Sequence, residues 1–166
     1  MKRNHEDYER LARELDDDMA MLEELLTKQQ KAAARISLGA QDELDWAALG
    51  YTIHNIYCCF EGYFHRIAKF FENGLDPSAW HTELIDRMTL SLPEVRPNLF
   101  DKSLAHRMNE FRKFRHAFRH VYEDGLDENR LQPLSEKVPA LVSDFRPWHR
   151  RFQEAMSQLA AATREK

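Results

Sequence analysis

Between Trp46 and Phe71 the chain obeys one spacing rule: Trp46, Leu49, Ile53, Ile56, Phe60, Phe64, Ile67 and Phe71 recur every three or four residues. That is the period of an α-helix with one buried face, held for about seven turns, and the two-residue period of a strand does not produce it. The same rhythm appears in Tyr8, Leu11, Leu15, Met19, Leu22 and Leu25, which predict a first helix running from Tyr8 into the thirties. Asn73-Gly74 is a stop signal for helix two. Asp76-Pro77 then pairs a capping carboxylate with a proline suited to the first helical position. The short helix it opens buries Trp80, Leu84, Ile85 and Met88 and ends before Pro93. Leu92–Phe100, with Pro93 and Pro97, reads as a loop. Leu104, Met108, Phe111, Phe114, Phe118 and Val121 form the stripe of a fourth helix, predicted from near Asp101 to Gly125.

The last segment sets two signals against each other. Leu131, Leu134, Val138, Leu141, Phe145, Trp148, Phe152, Met156 and Leu159 alternate by three and four, yet Pro133, Pro139 and Pro147 fall among them. An interior proline costs about 3 kcal/mol. The unbroken rhythm nevertheless predicts one curved or kinked helix, starting between Asp127 and Val138. Five glycines and six prolines leave little material for the turns of a β fold. The expected architecture is all-α: an up-and-down bundle of four long helices plus a short one, in a single domain spanning residues 1–166.

Composition narrows the functional classes. With 43% apolar and 31% charged residues the chain is globular rather than disordered. A formal charge of −4 gives no global attraction to nucleic acid, so a polyanion site has to be a local patch. The charged N-terminal stretch predicts no secretion signal, and the apolar run around Ile53–Phe71 is broken by His54, Asn55, Glu61, His65, Arg66 and Lys69, so no membrane span is expected. Cys58 and Cys59, adjacent on helix two, read as packed apolar thiols of a protein in the reducing cytoplasm. Asp16, Asp17 and Asp18 read as a solvated face.

No Glu-x-x-His of a di-iron bundle occurs, nor a phosphate-binding glycine loop, a nucleophile elbow or a CxxC. His116 and His120 are four apart, but two ligands make no metal site, so neither a metal nor a cofactor is expected. What remains is helix four. Residues 106–120 hold Arg107, Arg112, Lys113, Arg115 and Arg119 against Glu110 alone, with His106, His116 and His120 among them. Within this face Arg115, His120 and Tyr122 form the pattern R-x4-H-x-Y. Arginine brings a permanent five-donor cation, and histidine titrates near neutrality as an acid or base. On an ideal helix with Phe111 at zero, the core stripe centres near ~340°, Arg115 lies near ~40°, Tyr122 near ~20° and His120 near ~180°. One straight helix therefore does not aim Arg115 and His120 at the same phosphate. Either the helix is distorted there, or two chains build the site across a two-fold axis.

Further segments accompany this motif: Leu-Gly-Tyr-Thr-Ile-His-Asn-Ile-Tyr-Cys-Cys-Phe-Glu (49–61), Arg-Ile-Ala-Lys-Phe-Phe-Glu-Asn (66–73), Trp80-His81-Thr82-Glu83-Leu84, Arg87-Met88-Thr89, and Phe114-Arg115-His116 through Tyr122. Together they resemble HEPN-domain ribonuclease toxins of the HepT type over roughly residues 40–150. The resemblance implies a HEPN-like fold and a metal-independent endoribonuclease with Arg115 and His120 as the catalytic pair. It also implies a homodimer and a nucleotidyltransferase antitoxin of the MNT type, which can modify the motif tyrosine, here Tyr122, with AMP. The residue after the arginine is usually asparagine or aspartate in that family, and here it is His116. Arg119 is expected to help bind the RNA backbone. Glu61 and Asn55 interrupt the apolar stretch of helix two and are secondary candidates for orienting motif side chains. His54, His65 and His81 read as plain surface or boundary positions. The competing readings are a HEPN module that docks a nucleotidyltransferase without cutting RNA, and a helical adaptor whose basic face meets an acidic protein.

Overall fold

The computed structural model describes residues 3–72, 80–120 and 125–164, the side chains of 80–82 excepted. Five α-helices occur among them: α1 (His5–Ser37), α2 (Glu43–Phe71), α3 (Trp80–Met88), α4 (Lys102–Phe118) and α5 (Glu128–Arg164). Their starts follow from short polar side chains that accept the first orphan amides. Asn4 and Asp7 form a reciprocal capping box at α1, Asp42 caps α2, and Asp101 caps α4 by accepting from Leu104 N–H at 2.8 Å. The expected Asn73-Gly74 stop and Asp76-Pro77 start lie outside the described residues.

Helix α2 is the hub and packs against each of the other four. The face expected from its rhythm is buried, with Ile53, Ile56, Phe60, Phe64 and Ile67 fully enclosed. Phe60 and Tyr63 meet Phe145 of α5 edge-on at 5.1 and 5.2 Å, and Phe64 meets Phe100 at 5.2 Å. The loop between α3 and α4 is pinned from inside by Arg96, whose side chain is wholly buried. Its guanidinium donates to the carbonyls of Arg87, Leu90 and Pro97 and to Glu72 at 2.6 Å. Burial alone would raise the Glu72 carboxyl, but Arg96 and Arg87 outweigh it and hold it below the usual carboxylate range.

One helix accommodates all three prolines, as the rhythm of the last segment implied. Pro133 and Pro147 are exposed and Pro139 half-buried, while the three-four residues between them face the core. Pro139 has no N–H for the carbonyl of Ser135, four residues back. The buried Gln29 of α1 supplies the missing donor: its Nε2 reaches Ser135 O at 3.2 Å and Ser135 Oγ at 2.8 Å.

Helix α4 departs from the sequence reading. It ends at Phe118, and Arg119 and His120 form a turn rather than running on to Gly125. The reason lies on α2. A Cβ placed on Gly50 would stand 2.9 Å from Phe118 Cε2 and 3.4 Å from Leu126 Cδ2, so both side chains converge on that glycine. Seven further helical residues would carry the chain about 10 Å past it. To bring Leu126 back beside Phe118, the helix has to stop.

Candidate functional site

The C-terminal end of α4 lies against the middle of α2. On α2, His54, Cys58 and Glu61 share one stripe, while Asn55 stands about 100° round from His54. Asn55 is half-buried and does not join the contacts described next. Arg115 Nη2 pairs with Glu61 Oε2 at 3.2 Å, the two side chains being only 18% and 8% exposed. Of the two secondary candidates, Glu61 is the one that meets the motif arginine. Cys58, one turn before Glu61 on α2, also acts electrostatically on Arg115. Burial works against the Arg115 charge, but Cys58 and Glu61 outweigh it and hold the guanidinium above its ordinary range. Arg115 Nε is enclosed with no hydrogen-bond partner among the described residues.

His54 is more than a boundary position. Its Nε2 lies 3.5 Å from Cys58 Sγ and its ring 5.1 Å from that of Phe118. Burial first, then the cations of Arg115 and Arg119, push it below the ordinary imidazole range, against a weaker pull from Glu61. His54 therefore braces Phe118, the last residue before the turn that carries Arg119 and His120. Its partners on α4 are about sixty residues away in the chain, and no local pattern marks it.

His116 and His120 are exposed, and their rings sit edge to face with centroids 5.4 Å apart. The turn closes through Arg119 N–H to the Arg115 carbonyl at 3.2 Å and His120 N–H to the Ala117 carbonyl at 3.0 Å. No hydrogen bond or ion pair joins Arg115 to His120 among the described residues. Instead the first is held inward by Glu61 and the second stands outward beside His116. The face is also less cationic than its composition implied, because Arg107 is paired with Asp144 at 2.6 Å and Arg115 with Glu61. Arg112 donates to Asn109, and Arg119 is exposed at the turn. Tyr122 lies outside the described residues.

A second polar centre carries no local sequence signal. His149 of α5 is buried, with Nδ1 2.9 Å from Tyr63 Oη and Nε2 3.0 Å from Asp16 Oδ1. A carboxylate only accepts, so Nε2 carries the proton and the tyrosine hydroxyl donates to Nδ1. Gln153 Nε2 adds a bond to the same Asp16 oxygen, and Asp18 accepts from Arg66 Nε at 2.8 Å. The expected solvated face of Asp16–Asp18 is thus partly engaged in tying α1 to α2 and α5. Cys59 packs as expected: burial pushes its thiol up to about 12. Among the described residues, no three His, Cys, Asp or Glu side chains gather where one ion could be held.

The described residues form an all-α, HEPN-like bundle whose candidate site lies where α4 ends on α2. The chain belongs to the HepT-like protein family, whose model matches residues 48–156, from the start of the α2 face through most of α5. That family falls within the HEPN-type superfamily of toxins and ribonucleases. No curated protein and no solved structure matches the chain. No described helix is long and apolar enough to cross a membrane.

Proposed function

We propose that the chain is a metal-independent endoribonuclease, the toxin of a HEPN and nucleotidyltransferase toxin–antitoxin pair, acting in the cytoplasm. The observation that carries the reading is the end of α4 in a HepT-like chain. There Arg115 is paired with Glu61, and the exposed imidazole of His120 follows on a turn. RNA brings its own nucleophile, the 2′-OH next to the scissile phosphate. The protein needs to position it, move two protons and stabilise charge on pentavalent phosphorus. In this mechanism His120 transfers a proton, Arg115 holds the non-bridging oxygens and Arg119 binds the adjoining backbone. Attack forms the 2′-O–P bond and breaks the P–O5′ bond, leaving a 2′,3′-cyclic phosphate and a 5′-hydroxyl.

The proposal includes a homodimer in which the two α4 ends face one cleft. Leu44 and Tyr51, 77% and 61% exposed on α2, offer apolar area for such a contact. It also includes an MNT-type nucleotidyltransferase partner that modifies Tyr122. The test is RNA cleavage by purified protein with and without His120→Ala, read by the ends produced. Absence of cleavage by the wild-type chain, with retained binding to the nucleotidyltransferase, would replace this reading by the docking module.

A further inference from the structure

We infer that His116 is a second proton-transfer residue, so that one chain supplies both the acid and the base of the cleavage. The inference rests on the ribonuclease reading. Cleavage through the 2′-OH needs one group to take the proton from the attacking oxygen and another to give a proton to the departing 5′ oxygen. A single imidazole cannot stand on both sides of one phosphorus at once.

The end of α4 holds two. Within α4, Arg115 lies near ~40°, Arg112 near ~100° and His116 near ~140° in the frame that sets Phe111 at zero, and Arg119 and His120 follow on the turn. His116 therefore faces away from the anchored arginine, on the side of Arg112 and beside His120 of the turn. The turn after Phe118 keeps the two imidazoles together, at 5.4 Å between ring centres, and both are exposed. Neither ring forms a hydrogen bond or ion pair with another described residue, so each is available to a ligand. Arg112, one helical turn before His116, and the exposed Arg119, next to His120 in the chain, supply charge for the phosphate. In the reaction, the neutral imidazole accepts the 2′-OH proton as the 2′-O–P bond forms. The imidazolium gives its proton to O5′ as the P–O5′ bond breaks. The pair ends with its protonation exchanged, and solvent resets it.

The experiment compares wild type, His116→Asn and His120→Ala on an RNA oligonucleotide containing the mapped cut site. Asparagine keeps polarity and hydrogen bonding but moves no proton. His116→Asn is expected to slow cleavage by about 10²–10⁴-fold and to lose one limb of the wild-type pH–rate bell. With a 5′-bridging sulfur at the cut site, the leaving thiolate departs unprotonated, so one of the two variants should recover and the other should not. A His116→Asn enzyme with both limbs intact and a rate within threefold of wild type would overturn the inference while leaving the ribonuclease reading standing. Recovery of both variants, or of neither, would overturn the division of labour. A wild-type chain that cuts no RNA would remove both readings.

Discussion

Two glycines of α2 offer a controlled test of how α4 is held. A Cβ at Gly62 meets nothing within 4 Å, whereas at Gly50 it stands 2.9 Å from Phe118 Cε2. Both lie in a helix interior, where alanine is favoured over glycine by about 0.8–1.0 kcal/mol. Gly62→Ala should therefore stabilise by about 1 kcal/mol and raise Tm by roughly 2–4 °C for a chain of this size. At Gly50 the same gain is opposed by overpacking, which costs about 1–3 kcal/mol. Phe118 has little room to retreat, because the rings of His54 and Phe114 pack on it at 5.1 and 5.5 Å. The cost wins: Gly50→Ala should fall about 0–2 kcal/mol below wild type. The displaced Phe118 carries the turn, so RNA cleavage should drop as well, while Gly62→Ala keeps it. Urea denaturation of both variants, with Phe118→Leu added to Gly50→Ala to relieve the clash, gives the comparison. Gly50→Ala stabilising as much as Gly62→Ala would refute the packing of Phe118 on α2 and, with it, the reason given for the end of α4.

Other consequences follow from named contacts. His149→Phe leaves the buried Tyr63 hydroxyl without its acceptor and should cost about 1–3 kcal/mol in denaturant melts. Burial holds His149 and His54 below the ordinary imidazole range, so above about pH 6.5 neither contributes to pH dependence. Below it the unfolded chain binds protons that the folded chain refuses, and stability should fall as pH drops from about 7 to 5, less steeply in His149→Phe. A flat urea midpoint across that window would contradict the burial of both rings. Gln29→Leu strands the Ser135 carbonyl freed by Pro139 and should cost about 1–3 kcal/mol, mostly recovered when Pro139→Ala restores the helical donor; an unchanged melt would show the carbonyl has another partner. Glu61→Gln removes the countercharge of Arg115 and should cost about 1–2 kcal/mol, below the 3–5 of a fully buried pair, and lower cleavage more than RNA binding. Equal losses in both would mean that Glu61 only holds the fold.

Helix α2 and the long α5 were legible because their signals are local. The three-four rhythm of α5 survives its prolines because the core-facing residues carry it while Pro133 and Pro147 sit toward solvent. What the sequence hid was how the fold tolerates Pro139, since the compensating donor, Gln29, lies on another helix. The end of α4 is hidden for a related reason. Phe118 and Val121 continue the stripe, and nothing nearby reveals that Leu126 must return to Gly50. His149 sits in the run Trp148-His149-Arg150-Arg151 and looks like part of a solvated face; Tyr63, eighty-six positions away, decides its burial. Glu61 stands out as a polar break in an apolar stretch, but its pairing with Arg115 is a tertiary fact. Arg115 and His120 stood out through residue chemistry, and their orientations, inward to Glu61 and outward beside His116, came from the fold.

The most direct test of the ribonuclease reading is cleavage of a labelled RNA in excess EDTA by wild type and His120→Ala, beside the same oligonucleotide with a 2′-deoxy residue at the cut site. The wild type should cut in EDTA, leaving a 2′,3′-cyclic phosphate. His120→Ala should fold like wild type and cut nothing measurable, and the deoxy substrate should stay intact. Cleavage by His120→Ala at the wild-type rate, or cutting of the deoxy substrate, would contradict the proposed chemistry at the end of α4.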